Sequence, residues 1–192
     1  MRIAVIAMVA AGCVPELYTS GGSNGAVWEA PEPNAWQGAT PPANLVAQGY
    51  QEGQVPPDLR LLDQFGDEVS LWQFYGDVVL LDISTMWCAP CQELAQHTQE
   101  TWVDYRDDGF TYVTVLQQDV EGGDVDVEEL NEWTSAFGIE APTLADPDRL
   151  TEAAISQGQY PAVLVLDRNM KVATRVKTVT DGEVRRAIED VL

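Results

Sequence analysis

Residues 77–83, Asp-Val-Val-Leu-Leu-Asp-Ile, make a nearly continuous apolar run. Such a strand belongs in the middle of a sheet with both faces covered, not on a half-solvated one. The run passes into Ser84-Thr85-Met86-Trp87-Cys88-Ala89-Pro90-Cys91. Beyond it, Cys91, Leu94, Ala95, Thr98, Trp102 and Tyr105 recur at helical spacing on one face. Buried strand, short turn and amphipathic helix therefore meet at a pair of cysteines.

The rest of the chain from Asp58 onward fits around that unit. Residues 59–71 predict two short strands joined by a turn over 63–67, with Gly66 at the bend. Residues 109–117 predict a strand, 126–139 a helix ending near Gly138, and 149–158 a short helix stopped by Gly158. Residues 160–177 predict a hairpin. Thr180 and Glu183 have capping-box spacing and open a last helix, with Val184, Ala187, Ile188 and Val191 inward. Strands alternating with helices, then a hairpin and a helix, indicate an α/β domain over 58–192 with a mixed central sheet.

The N-terminal part reads differently. Arg2 precedes nine apolar residues, Ile3 to Ala11, and then Gly12 and Cys13. This is the charged and apolar layout of an export signal over 1–12. Ala10-Ala11-Gly12-Cys13 resembles the lipobox of bacterial lipoproteins, although that pattern prefers leucine where Ala10 stands. The resemblance makes Cys13 the lipidated first residue of the mature chain. Residues 14–57 hold seven of the 11 prolines and six of the 15 glycines, without helical or strand period. The stretch 13–57 is thus expected to be a disordered tether reaching about 36 Å. Trp28, Trp36 and Tyr50 are unusual in a plain linker, so part of it is a candidate to dock.

Charge removes some functions. The chain has 31 acidic and 10 basic residues, a formal charge of −21, and only two lysines, Lys171 and Lys177. That surface repels nucleic acid and anionic lipid headgroups. No apolar run is long enough for an ordinary membrane-spanning helix.

Three roles are open to Cys88 and Cys91. A disulfide closing so short a loop stabilises little as a staple. A closed zinc site needs about four ligands, yet only Cys13 and His97 are left to join them. Redox chemistry fits the local physics. Pro90 falls in the first helical turn, where a missing N–H costs nothing. Cys88 sits where unpaired N–H groups and the helix dipole favour an anion, so its thiolate is expected at lower pH than the free thiol's, about 8.5. Cys91, one turn inward, is expected to be more buried. Cys88 then attacks a partner sulfur and Cys91 resolves the mixed disulfide.

These residues resemble the thioredoxin superfamily, and more closely its cell-envelope thiol–disulfide oxidoreductases and AhpC-TSA-like redoxins. The similarity runs over about 55–192 and rests on 58–91, with its Trp-Cys-x-x-Cys, and on 142–148 and 160–167. It implies a thioredoxin-like fold, a central mixed sheet flanked by helices with an N-terminal hairpin extension. It implies that Pro161 is a cis-proline facing the cysteines and that Tyr160 offers its backbone to an extended substrate. Trp87 and Pro90 then border the same groove. Asp82, six residues before Cys88, matches the buried acid of thioredoxin, which takes a proton from the resolving cysteine. The implied partners are disulfide or dithiol protein clients and an upstream thiol electron donor. The implied place is the bacterial cell envelope, on a membrane through the Cys13 anchor. No cofactor is implied.

Two departures stand out. Met170 occupies a hairpin-turn position where the family usually has glycine. Ala89-Pro90 lacks the histidine of strongly oxidising relatives, which points to a reducing or intermediate potential. Three other functions are consistent with the residues. Thr85, three before Cys88, fits part of a thiol-peroxidase motif, although Leu81 stands where its proline belongs. Two thiolates also suit a non-enzymatic Cu(I) carrier. An idle interaction domain with a fixed disulfide is the last.

Overall fold

In a computed structural model of the chain, residues 19–21, 28–36, 38–156 and 158–192 are described. The expected signal segment 1–12 and Cys13 lie outside them. The strands are β1 (Thr19–Gly21), β2 (Asp58–Asp63), β3 (Glu68–Ser70), β4 (Val78–Ser84), β5 (Phe110–Leu116), β6 (Thr143–Ala145), β7 (Ala162–Leu166) and β8 (Val172–Val176). The α-helices are α1 (Ala89–Tyr105), α2 (Val127–Phe137) and α3 (Asp181–Glu189). The sheet order is β1-β2-β6-β5-β4-β7-β8, with β3 paired to β2. β4 runs parallel to β5 and antiparallel to β7, and β5 runs parallel to β6, so the sheet is mixed as expected.

β4 is an interior strand between β5 and β7, and all seven of its residues are buried. Alternation divides its side chains between two cores. Val78 and Leu80 pack with Cys91 and Leu94 of α1, Leu130 and Trp133 of α2, and Val184 and Ile188 of α3. Val79, Leu81 and Ile83 enter the second core. Each fully buried aliphatic side chain contributes about 1.5–3 kcal/mol.

What covers that second face corrects the tether. The described residues of 28–57 are not a free coil. They lie across the sheet, with Tyr50 and Val55 buried and Trp28, Trp36, Leu45 and Ala47 packed beside them. The Trp28 indole donates to the Asp58 carboxylate and the Ser70 hydroxyl, each at 3.1 Å. The Trp36 indole donates to Asp63 at 2.8 Å. Backbone bonds between Gly53 and Val172 and between Val172 and Gln54, both 2.8 Å, tie the segment to β8. The physical reason is the apolar second face of β4: α1–α3 contribute to the first core, so the N-terminal segment supplies much of the remaining cover.

Local signals account for most elements. The Asp63 carboxylate accepts from the N–H groups of Phe65 and Asp67, both at 2.9 Å, and Gly66 takes φ 82 in the β2–β3 turn. Asp126 caps α2 and Glu129 returns the bond, while Gly138 ends it at φ 66. Thr180 caps α3, accepting from the Glu183 N–H at 3.4 Å. The Glu183 side chain pairs with Arg186 at 2.8 Å, so only half of the expected reciprocal box forms.

The helix expected over 149–158 is reduced to one 3-10 turn, Glu152–Ala154. The Asp146 side chain captures the N–H groups of Leu150 and Thr151 at 2.7 and 2.9 Å. Arg149 adopts φ 53, which interrupts a right-handed helix. Met170 adopts φ 61 in the β7–β8 turn with its side chain fully buried. A left-handed non-glycine residue costs about 1–2 kcal/mol, and burial of the methionine offsets it.

Candidate functional site

α1 begins at the C-terminal end of β4. Cys88 is its N-cap, with φ −82 and ψ 113, and Pro90 falls in the first turn. The Cys91 N–H donates to the Cys88 sulfur at 3.3 Å. Cys88 and Cys91 are joined as a disulfide with Cα atoms 5.2 Å apart. Both cysteines are nearly covered, but Cys88 keeps 4% of its surface open and Cys91 none, so Cys88 is the outer one. A first-turn N–H, which has no carbonyl partner within its own helix, thus points at the Cys88 sulfur and stabilises negative charge there.

Tyr160-Pro161 is joined by a cis bond just before β7. Because Ile83 pairs with Ala162, that bond lies beside the chain leading into the cysteines. Trp87 is 47% exposed, and its ring meets the Tyr160 ring edge-on with centroids 5.8 Å apart. Ala89 and Pro90 are exposed beside them. Trp87, Cys88, Pro90, Tyr160 and Pro161 thus share one end of the sheet.

Asp82 is buried on the α1 face of β4, in register with Leu80 and Ser84. Ser84 donates to it at 2.6 Å and Tyr112 reaches it at 3.5 Å. Burial pushes its carboxyl up to about 7, and the two hydroxyl hydrogen bonds only partly counter this. The Tyr112 hydroxyl is itself pushed up by burial and by the Asp82 charge.

Sequence reasoning did not single out Gln117 and Gln118, which follow β5. The Gln117 N–H donates to the Ser84 carbonyl at 3.0 Å, and the Met86 N–H donates to the Gln118 carbonyl at 2.9 Å. The two glutamines therefore extend the sheet ladder along the approach to Cys88. Two adjacent amides directly after an apolar strand were the signal available.

The family model described as the AhpC/TSA family matches residues 53–175. The chain belongs to the AhpC/TSA family. Among relatives in this redoxin group, it is 27% identical over 140 residues to thiol-disulfide oxidoreductase ResA of Geobacillus thermodenitrificans, covering 72% of this chain and 77% of that one. It is 24% identical over 142 residues to the thioredoxin-like protein YneN of Bacillus subtilis, covering 73% and 81%. Among solved structures, it resembles a thiol:disulfide interchange protein DsbE from Chlorobium tepidum, described there as putative. The TM-score is 0.61 at 24% identity over 74% of this chain and 95% of that one. The thioredoxin domain of a Bacteroides vulgatus thiol-disulfide oxidoreductase gives 0.61 at 20% identity, covering 73% and 96%. These neighbours establish a thioredoxin-like fold for this AhpC/TSA member.

Proposed function

We propose that the protein is a thiol–disulfide oxidoreductase that exchanges disulfides with envelope protein clients through the Cys88–Cys91 couple. The observation that carries this reading is the joined pair at the start of α1, with the Cys91 N–H on the Cys88 sulfur. Family membership and the names of the relatives support the same class.

In the reduced protein, the Cys88 thiolate attacks one sulfur of a client disulfide and expels the other as thiolate. Cys91 then loses its proton and attacks the Cys88 sulfur, which releases the second client thiolate. Two electrons pass to the client, and the Cys88–Cys91 disulfide forms. An upstream thiol donor returns the pair to the reduced state. Asp82, with its carboxyl near neutrality, is the group suited to take the Cys91 proton. Trp87, Pro90, Tyr160 and Pro161 form the surface against which an extended client segment lies.

The envelope placement rests on the N-terminal sequence: removal of 1–12 and lipidation of Cys13 would hold the domain on a membrane. No helix among the described residues is long and apolar enough to cross one.

A Cys91→Ser variant tests the mechanism. Its reduced form should accumulate a mixed disulfide between Cys88 and a client, seen as a band that collapses on reduction. Failure to trap any client, with Cys88 reduced and accessible, contradicts the assigned roles.

One observation favours a second reading, a thiol peroxidase. The Thr85 hydroxyl, three residues before Cys88, is buried without a hydrogen-bond partner among the described residues. Rapid peroxide consumption with a sulfenic acid at Cys88 would select that reading.

A further inference from the structure

Trp87 and Tyr160 flank the disulfide, and each is held by one of two consecutive glutamines. The Trp87 indole donates to the Gln118 side-chain oxygen at 2.9 Å. The Gln118 amide nitrogen donates in turn to the Gly122 carbonyl at 3.1 Å. An indole only donates and a carbonyl only accepts, so both ends fix the orientation of this amide.

Gln117 is set from further away. The Tyr160 hydroxyl donates to its side-chain oxygen at 2.6 Å. The Gln117 amide nitrogen donates to the Thr151 hydroxyl at 2.7 Å, and that hydroxyl donates to the Asp146 carboxylate at 2.6 Å. Gln117, Thr151 and Asp146 are each 0% exposed, whereas Tyr160 is only part-buried. A carboxylate accepts, so Thr151 must donate to it and must accept from Gln117. That leaves the Gln117 oxygen toward Tyr160. Burial raises the Tyr160 hydroxyl, which keeps it protonated and donating. Hydrogen bonds in such a chain reinforce one another.

We propose that Gln117 and Gln118 are positioning residues that fix the two aromatic walls of the client groove, Tyr160 and Trp87, with Asp146 orienting Gln117 through Thr151. This rests on the client-exchange reading above and adds which residues set the groove. Neither glutamine touches the sulfurs in this scheme, so the chain acts on client binding and not on the redox couple.

The test uses the full chain and insulin as the disulfide probe. Tyr160→Phe removes the hydroxyl and keeps the ring. Gln117→Leu removes the acceptor. Each should raise KM for insulin about fivefold, the size of one lost hydrogen bond. kcat should stay within about twofold, and the reduction potential of Cys88–Cys91 should not move. The double variant should be no worse than Tyr160→Phe alone, because both changes delete the same bond. If Gln117→Leu does not fold, Tyr160→Phe carries the test alone. An active wild type with KM unmoved in Tyr160→Phe overturns this inference alone, as do multiplying effects in the double variant or a shifted potential. A wild type unable to reduce insulin overturns the client reading and this inference with it.

Discussion

Cys88→Ser lowers dithiothreitol-driven insulin reduction to the uncatalysed background, because a hydroxyl does not replace the attacking thiolate. The loss is chemical and not a consequence of unfolding. The variant also lacks the disulfide, but a loop that short is worth only about 2 kcal/mol in chain entropy. Cys88 and Cys91 are two of many residues in the first core, and the second core contains neither. Circular dichroism should therefore show a folded protein with no activity. Full activity in Cys88→Ser would move the chemistry elsewhere and end the proposed mechanism.

Asp82→Asn should stabilise the protein, and by more at high pH than at low. The Asp82 carboxyl is raised from 3.8 to about 7 in the folded state. A raised folded value means the stabilising contribution is fully present below the unfolded value and is lost as pH rises through the folded one. For Asp82 the window runs from about pH 4 to about pH 7, and the loss across it is about 4 kcal/mol. Asparagine has no proton to lose, so it escapes this penalty. The stability gap between variant and wild type should widen by about 3 kcal/mol between pH 5 and pH 8. Urea unfolding of the oxidised proteins at the two pH values measures it, and all other titrating groups are common to both. A gap independent of pH would show that the carboxyl ionises freely, and would remove Asp82 as the proton acceptor for Cys91. The same substitution should slow release of the mixed disulfide while leaving the first attack by Cys88 intact.

The parts of the molecule legible in the sequence are those where hydrophobic period and local chemistry agree. The run into β4, the inner faces of α1 and α3 and the Gly66 and Gly138 stops are of this kind. So is the cysteine pair, because Pro90 and the start of α1 are encoded within four residues of Cys88. The segment over 28–57 was legible only in part: Trp28, Trp36 and Tyr50 marked it as a candidate to dock, but not where it docks. Its anchors are isolated aromatics, and its indole bonds reach carboxylates 30 and 27 residues away at Asp58 and Asp63. Nothing periodic marks such a contact. The short helix expected over 149–158 failed for a local reason, since Asp146 takes the N–H groups that would have begun it. The glutamine pair behind Trp87 and Tyr160 escaped notice because its partners lie 31 and 43 residues distant. Long-range polar contacts are set by the fold, and the fold must be known before they can be seen.

The central claim is that the start of α1 makes Cys88 acidic. The direct measurement is the pH dependence of iodoacetamide reaction with the fully reduced protein, in which Cys91 is shielded by burial. The reaction should turn on well below the range of a free cysteine thiol, about 8.5. A turn-on at or above that range would contradict the account.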